Sequence, residues 1–476
     1  MEGWRLDDEV RLAVLRRADQ LTSLSDRIWE LAEVGLGETR SAEALAETLA
    51  EAGFSVRQGV AGMPTAFVAE WGSGRPVVAL LGEYDALPGL SQVRECRPEP
   101  LLAGAGGHGC GHNLLGVGAL GAALAARDAM AAAHLPGVIR FYGCPAEETL
   151  VGKVFMVKAG LFDDIDVALT WHPADVTGIW ASSSLSVNSL MFQFTGVAAH
   201  AAGNPEAGRS ALDGVELMNV GANYLREHVP TEARIHYVIT DGGHEPNVVP
   251  PRAAVWYYVR APRRAEVEEI TARLMDIARG AALMTGTSQS AQLITGCYNF
   301  LPNRVLGDLL LSTLEQVGPP PFSAADQKLA ADLQATVPPP QLARSLEWHR
   351  RHGLDDTSSP LHCGRPLAWG EGEPGSGSTD VGDVSWVVPT AQLEVASAPL
   401  GTPGHSWQMV VSSGTGIGTS GMLVAAQALG AGALAICRDP GLVDRARAEL
   451  AGSRHGQEYR SPVALVAEPP LGLLEH

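Results

Sequence analysis

The stretch GGHGCGHNLLG at residues 106–116 places Cys110 and His112 two positions apart, directly before a run of residues that is typical of a helix. A thiolate and an imidazole at such close spacing are common zinc ligands. The alternative is a glycine-rich loop that contains histidine without binding a metal. Other parts of the chain must supply further ligands if this stretch belongs to a metal site.

Further ligand-type residues follow predicted strands elsewhere in the chain. They are Glu83 and Asp85 after RPVVALL, Glu147 and Glu148 after GVIRFYG, His172 in ALTWHP, and His405 in GTPGHSW. Ligands of an open α/β sheet are expected at the carboxyl ends of its strands. Each residue alone is compatible with a turn, a helix cap or a hydrogen-bonded core histidine. Their joint placement at several strand ends predicts one shared centre.

The chemistry of such a centre follows from its ligand types. Cysteine, histidine and carboxylate together favour Zn²⁺, or Mn²⁺ where carboxylate and imidazole dominate. A metal lowers the pKa of its water toward about 7, and a carboxylate that is not a ligand then accepts the proton. Adjacent glutamates can divide these tasks between them. The residues therefore predict metal-assisted hydrolysis, most naturally of an amide.

The helices and strands that must position these residues show two different sequence patterns. After helical patterns in the first fifty residues, strands and helices alternate as far as the WHP at 171–173. This alternation predicts an α/β fold in which a mixed sheet is covered by helices on both faces. Four alternating strands and two long helices then predict a small inserted α+β domain at 186–299. The catalytic domain is expected in two parts, 1–185 and 300–476, with a long excursion rich in Pro, Gly and Ser at 318–373.

Composition excludes several other classes of protein. The 476 residues carry a formal net charge of −19, which repels nucleic acid, and the six cysteines are scattered rather than dense. No stretch reaches the roughly 18 uninterrupted apolar residues expected of a membrane helix, and the N-terminus does not read as a signal peptide. We therefore expect a cytoplasmic protein with reduced thiols and with neither nucleic acid nor membrane as a partner.

Several motifs together resemble a known family, the amidohydrolase branch of the aminoacylase and carboxypeptidase superfamily of di-metal peptidases. They are GEYDALPGLSQ, GHGCGHNLLG, VIRFYGCPAEE, GLFDDIDVALTWHP, GVAAHAAGNPEAGRSALD, PNVVPPRAAVWYYVRAP, STDVGDVSW and GTPGHSWQ. Within that branch the pattern is most similar to the p-aminobenzoyl-glutamate type, for which an asparagine at position 113 is typical. The resemblance extends from about residue 30 to about residue 425 and is weakest in the 318–373 excursion.

The resemblance implies a role for each matching residue. One or two divalent ions, Zn²⁺ or Mn²⁺, would be held by Cys110, His112, Glu148, His172 and His405. Glu147 falls on the catalytic base, and Asp85 on an aspartate that orients a ligand or tunes the base. His200 matches a histidine that reaches the partner subunit's site to stabilise the oxyanion, whereas Asn247 and Arg260 match substrate-binding positions. Glu83 stands where other branches place a metal-binding histidine and is left outside the ligand set.

The implied activity is cleavage of an N-acyl or N-aroyl amino acid, with p-aminobenzoyl-glutamate as the leading substrate. The family resemblance also implies that the inserted α+β domain is a lid and dimerisation domain. The implied assembly is a homodimer through the insert or a heterodimer with a homologous A-type subunit. Two alternatives stay open: a dipeptidase for β-alanyl-type dipeptides, and a catalytically silent subunit that binds a ligand or scaffolds a partner. For Arg260 the alternative is a salt bridge at the surface end of its strand.

Overall fold

The fold was analysed in a computed structural model that describes residues 8–369, 375, 377–466 and 468–474. Its strands, in chain order, are β1 (Ser55–Gln58), β2 (Phe67–Ser73), β3 (Val77–Glu83), β4 (Gly137–Cys144), β5 (Val167–Ala174), β6 (Gly178–Trp180), β7 (Ser186–Thr195), β8 (Arg234–Asp241), β9 (Arg252–Ala261), β10 (Ser288–Cys297), β11 (Leu367–Trp369) and β12 (Thr390–Ala396).

The helices alternate with these strands in the first part of the chain and dominate its end. In chain order they are α1 (Asp8–Leu15), α2 (Ala18–Leu31), α3 (Thr39–Glu51), α4 (His112–Ala132), α5 (Gly152–Lys158), α6 (Ala211–Leu225), α7 (Arg264–Thr285), α8 (Arg304–Val317), α9 (Ala324–Ala335), α10 (Pro339–Arg351), α11 (Val381–Val387), α12 (Trp407–Ser413), α13 (Gly416–Arg438) and α14 (Gly441–Ser453).

The larger sheet has the strand order β1-β2-β4-β3-β5-β12-β6-β11. Its central strands β4, β3, β5 and β12 run parallel to one another. The pairs β1–β2, β2–β4 and β12–β6 are antiparallel, and β11 runs parallel to β6. Helices cover both faces, with α4 and α13 in the core of one face and α5 and α11 in the core of the other. The predicted mixed α/β sheet is confirmed.

Two helices of this core also have the length and composition to cross a membrane, which a count of uninterrupted apolar residues does not reveal. They are α4 and α13, and their most apolar windows are 83% and 89% buried inside the fold. Small residues allow this packing: a Cβ on Gly118 of α4 would lie 2.7 Å from the indole Nε1 of Trp171. Both helices are core elements of the larger layer.

The smaller sheet has the order β10-β7-β9-β8 and is antiparallel throughout. Helices α6 and α7 pack on one of its faces around a separate hydrophobic core. Strand β8 is an edge strand that exposes Tyr237, Val238 and Ile239. The four strands and two helices expected here are confirmed, and the limits 186–299 for the insert stay a prediction.

The 318–373 segment contains more regular structure than its composition suggests. It forms α9, α10 and β11, where only an irregular excursion is expected from the sequence. Ser323 and Asp326 cap α9 reciprocally, and prolines stand at the first turn of α10. Proline is tolerated in the first turn because the N–H that it lacks has no helical partner there. Prolines in this segment thus mark the start of a helix as well as breaks between elements.

Candidate metal and active site

The predicted ligands converge at one edge of the larger sheet. Strands β3, β4, β5 and β12 are parallel neighbours, so their carboxyl ends lie side by side. Glu83 ends β3, Glu147 and Glu148 follow β4, His172 lies in β5, and His405 follows β12. Convergence of these strand ends is confirmed by the fold.

Two triads of ligand atoms form at this edge, and both contain Cys110. One consists of Cys110, His112 and His172, and the other of Cys110, Glu148 and His405; within each triad all ligand atoms lie within 4.8 Å of one another. The Cys110 Sγ is 3.3 Å from His172 Nε2, and His405 Nε2 is 3.4 Å from a Glu148 carboxylate oxygen. All five residues in the predicted ligand set are therefore brought together, with the thiol at the centre.

Asp85 connects the two triads through hydrogen bonds. His112 donates through Nδ1 to one Asp85 oxygen at 2.8 Å, and the backbone N–H of Glu148 donates to the other at 2.9 Å. Burial of Asp85 would raise its pKa, but the neighbouring His112 lowers it below the usual range. The Asp85 contact leaves His112 Nε2 as the nitrogen that points into the first triad, which is the orienting geometry expected for an outer carboxylate.

The other two histidines also present Nε2 to the triads. His172 donates through Nδ1 to the carbonyl oxygen of Pro173 at 2.8 Å, which leaves Nε2 as the free lone pair. Burial, followed by the charge of His112, lowers the pKa of His172 to about 4. Burial and His112 likewise lower the pKa of His405. Both imidazoles are therefore neutral near pH 7, as metal ligation requires.

The donor set fits a divalent cation. Among the described residues, the buried atoms His112 Nε2 and Glu148 Oε1 have no hydrogen-bond partner, although buried polar groups almost always have one. Burial, followed by the charge of Glu148, raises the pKa of the Cys110 thiol to about 12, and burial raises that of Glu148 to about 7. A cation between the triads would satisfy the orphaned atoms and stabilise both anionic ligands.

Glu147 lies beside the triads without belonging to either. Its carboxylate is 4.0 Å from His112 Nε2, and it forms a third close group with Glu83 and His112. Burial, followed by the charges of Glu83 and Asp380, raises the pKa of Glu147 well above its ordinary value. A buried carboxyl group that is not a predicted ligand stands next to the candidate metal position, where a proton acceptor is needed.

A buried lysine compensates the acidic side of this pocket, and no motif in the sequence points to it. Lys153 on α5 is fully buried, with Nζ 2.8 Å from Glu83 and 2.5 Å from Asp380. Burial would lower the pKa of Lys153, but Asp380 and Glu83 raise it well above its ordinary value. Because Glu83 also lies 3.4 Å from His112 Nε2, it connects this ion-pair network to the first triad.

Glu38 supports the turn that presents Glu147 and Glu148. The residue before this pair, Ala146, has a left-handed backbone with φ of 55°, and its N–H donates to a Glu38 oxygen at 2.8 Å. A left-handed conformation is unfavourable for alanine and persists only where its surroundings enforce it. Glu38 itself is fully buried, and burial together with the Asp85 charge raises its pKa to about 8.

This raised pKa predicts a pH-dependent stability. The folded-state pKa of Glu38 is about 8 against an ordinary 4.5. The stability that its protonated carboxyl group contributes is therefore fully present below pH 4.5 and is lost as the pH rises through 8. We expect Glu38→Gln to lose less unfolding free energy than the unaltered chain between those pH values, by at most about 1.4 kcal/mol per pH unit. The measurement is denaturant unfolding of chelated protein across this range. Glu43→Gln, exposed on α3, which begins directly after Glu38, is the control, and parallel pH curves for Glu38→Gln and the unaltered chain would contradict the prediction.

His200 and Asn247 lie away from their own chain's triads, on exposed loops of the smaller layer. The imidazole Nδ1 of His200 accepts the N–H groups of Ala202 and Gly203, and Asn247 accepts the N–H of Ala201 through its carbonyl. The two predicted residues are thus neighbours of each other. Within one chain they do not join the cluster built on Cys110.

Arg260, by contrast, lies close enough to the cluster of its own chain for its charge to act on His405. It donates through Nη1 to Ser378 Oγ at 3.0 Å, and its buried Nε has no hydrogen-bond partner among the described residues. Its guanidinium is 5.3 Å from the ring centre of Tyr258, and its charge contributes to the lowered pKa of His405. These contacts are with Ser378 and Tyr258, and a substrate-binding role for Arg260 stays a prediction.

His108, the first histidine of the glycine-rich stretch, is a core residue. It is buried, its Nε2 is 3.0 Å from the carbonyl oxygen of Ile28, and burial lowers its pKa to about 4. It belongs to neither triad. The six cysteines are all free thiols, as expected, and Cys110 is the one that the triads share.

Comparisons with known proteins agree with this architecture. Residues 184–283 match the peptidase dimerisation domain. The chain is 41% identical to the B component of p-aminobenzoyl-glutamate hydrolase from Escherichia coli (strain K12), over 93% of this chain and 94% of that protein. It is 33% identical to the Xaa-Arg dipeptidase of Mus musculus over 61% of this chain and 66% of that protein.

Solved structures show the same fold. An aminobenzoyl-glutamate utilization protein from Klebsiella pneumoniae superposes with a TM-score of 0.61 at 20% identity, covering 90% of this chain and 98% of that one. A dinuclear metal binding peptidase of the M20 family from Bacillus subtilis superposes with a TM-score of 0.56 at 15% identity, covering 88% of this chain and 98% of that one.

Fold, dimerisation domain and relatives together define the class as a hydrolase of amide bonds with the fold of an M20 peptidase. Within that class the chain belongs to the family of the B-type components of p-aminobenzoyl-glutamate hydrolase. The resemblance seen in the motifs is confirmed.

Proposed function

We propose that this protein hydrolyses the amide bond of an N-acyl or N-aroyl amino acid, most specifically p-aminobenzoyl-glutamate, with two divalent ions and Glu147 as the base. The observation that carries the proposal is the pair of ligand triads sharing Cys110, with Glu147 beside them but outside both. The substrate rests on the relative that is named for it and covers nearly the whole chain.

Each ion would have its own triad. Cys110, His112 and His172 would hold one, and Cys110, Glu148 and His405 would hold the other. Thiolate and imidazole favour Zn²⁺, whereas the carboxylate and imidazoles also accommodate Mn²⁺. When bound, such ions polarise a substrate carbonyl and acidify water.

The residues of the chain then move the proton. Glu147 accepts it from the attacking water and delivers it to the amide nitrogen that leaves with the amino acid. Asp85 keeps His112 in the tautomer that presents Nε2, through the 2.8 Å hydrogen bond to Nδ1. Lys153 holds Glu83 in an ion pair, which supports a structural role for Glu83 outside the ligand set.

Arg260 is the proposed contact for the carboxylate of the substrate. Its buried Nε has no hydrogen-bond partner among the described residues, and its charge helps to lower the pKa of His405. A guanidinium donates two parallel hydrogen bonds to a carboxylate, so an amino acid carboxylate would satisfy the unused donor. Loss of Arg260 is expected to weaken binding of the substrate more than it slows a bound substrate.

The insert supplies the remaining residues from a second protomer. Strand β8 is an apolar edge, and pairing of two β8 strands about a two-fold axis would be antiparallel. Arg234 at one end of β8 pairs with Arg260, whereas Asp241 at the other end leads into the loop of Asn247, which contacts the loop of His200. Antiparallel pairing therefore brings the partner's His200 loop toward the Arg260 side of the first protomer. The same geometry serves a homodimer or a heterodimer with a homologous A-type subunit.

A complementation experiment tests this trans arrangement. His200→Ala alone is expected to lose about 10²–10³-fold in kcat, because a donor to the oxyanion is removed. Co-expressed His200→Ala and Glu147→Gln chains should regain about a quarter of full activity, since random pairing makes half the dimers mixed and each mixed dimer has one complete site. Turnover by the purified mixture is the measurement. Failure to exceed the sum of the two separate variants would contradict a homodimer with His200 acting in trans.

The substrate is tested by a panel of amides on the purified protein with Mn²⁺ or Zn²⁺ restored after chelation. Release of p-aminobenzoate from p-aminobenzoyl-glutamate in preference to the other amides supports the proposal. Preference for a dipeptide, β-alanyl dipeptides included, would favour the second candidate, which the Xaa-Arg dipeptidase relative supports. No turnover on any amide would contradict a stand-alone enzyme and leave a chain that needs its A-type partner.

A further inference from the structure

The helical pair α9 and α10, with the segment that follows it to residue 362, packs against the loop that carries His405. We call this pair and segment the brace. Gln334 donates to the carbonyl oxygen of Leu400 at 2.9 Å, and Gln408 donates to Thr336 Oγ1 at 3.1 Å. The N–H of Leu400 donates to the carbonyl oxygen of Pro360 at 2.8 Å. The brace therefore bonds to the chain on both sides of His405, in the loop before it and in α12 after it.

A buried pair joins the brace to the same loop and to β5. His349 on α10 lies with Nε2 2.8 Å from Asp175 Oδ2, and the same oxygen accepts the N–H of Gly401 at 2.8 Å. The side chains of His349 and Asp175 are 5% and 17% exposed, so water competes little for either contact. One oxygen atom of Asp175 thus contacts both α10 and the loop that carries His405.

The positions of these contacts along the chain connect them to both triads. Asp175 directly follows β5, which contains His172, and Gly401 precedes His405 in its loop. His172 belongs to the first triad and His405 to the second. A single carboxylate therefore fixes the distance between a β5 ligand and the ligand contributed by the loop.

His405 needs such support because little else holds it. Its backbone is left-handed with φ of 54°, its side chain is 57% exposed, and its N–H donates to the carbonyl oxygen of Gly109 at 3.0 Å. A strained residue with an exposed side chain keeps its geometry only if the neighbouring backbone is fixed. The brace fixes that backbone through contacts separate from the one to Gly109.

We propose that His349 and Asp175 are positioning residues for the second triad, and that the brace exists to hold the His405 loop at ligand distance from Cys110 and Glu148. This inference rests on the proposed ligand role of His405. It gives the 318–373 segment, the part of the chain with the weakest family resemblance, a function at the metal site.

The test is titration of the chelated protein with Co²⁺, whose absorption reports thiolate and imidazole coordination. His349→Ala is expected to weaken about tenfold the Co²⁺ equivalent that His405→Ala removes, the usual effect of losing a residue that orients a ligand. The kcat at saturating metal should change little by comparison. His349→Gln, whose amide nitrogen can donate to Asp175, should restore the affinity, and His352→Ala at the end of the same helix is the matched control.

His405→Ala provides the reference for the same Co²⁺ equivalent. If His405→Ala abolishes that equivalent and His349→Ala leaves it at full affinity, the positioning role is wrong and the proposed ligand set stands. If His405→Ala has no effect on Co²⁺ binding, the ligand role of His405 and the inference fail together. Equal weakening by His349→Ala and His349→Gln would also overturn the inference, because the hydrogen bond to Asp175 would then not matter.

Discussion

Replacement of Glu147 by glutamine is expected to lower kcat by about 10²–10⁴-fold while metal content and thermal stability stay unchanged. The amide keeps the shape of the side chain but cannot accept a proton. Glu147 lies outside both triads, 4.0 Å from His112 Nε2, so its loss removes no proposed ligand. Single-turnover kinetics and metal analysis on the same preparation are the measurements.

The adjacent residue gives a matched comparison. Glu148 belongs to the second triad, and Glu148→Gln should lose metal as well as activity. Of the two neighbouring substitutions, Glu147→Gln would then lower activity alone, whereas Glu148→Gln would lower both activity and bound metal. Full activity of Glu147→Gln would contradict its role as the base, and loss of metal from Glu147→Gln would place this residue among the ligands and contradict the division of tasks.

Replacement of Cys110 by alanine is expected to have the second large effect, the loss of both ions together with all metal-dependent turnover. Both triads contain its sulfur, whereas His172 and His405 each belong to one. Bound metal per chain after dialysis should therefore fall to near zero for Cys110→Ala, and by about half for His172→Ala or His405→Ala, because these leave one complete triad.

Cys437→Ala is the control for Cys110→Ala, since Cys437 is another free thiol and is buried on α13 in the core. It should keep both ions. If Cys110→Ala retained one tightly bound ion, the sulfur would not be a ligand in both triads. If it retained both, the thiol would not be a ligand.

Much of the candidate site can be predicted because its residues sit in local patterns. Apolar runs mark β3, β4 and β5, and parallel strands must end at a common edge. Polar residues at those ends can therefore be grouped without knowledge of distances. The start of α4 at His112 is also visible, because a glycine-rich loop gives way there to an unbroken helical pattern.

The supporting contacts cannot be predicted because they join residues that are far apart in the chain. Lys153 meets Asp380 across 227 positions, and Glu38 meets Ala146 across 108. The local sequence around a lysine or glutamate does not predict which distant residue it will contact. The capping pair of α9 is different: Ser323 and Asp326 have the spacing of a helix start, and the surrounding prolines conceal a signal that is present.

The central claim is that two ions held by the Cys110 triads drive amide hydrolysis, and a joint titration tests it most directly. Chelated protein would be titrated with Zn²⁺ or Mn²⁺ while bound metal and release of p-aminobenzoate from p-aminobenzoyl-glutamate are followed together. We predict no turnover in the absence of metal and a rise that reaches its plateau at two ions per chain. Turnover that persists after complete chelation would contradict the account, as would full metal loading with no hydrolysis of this or any other amide.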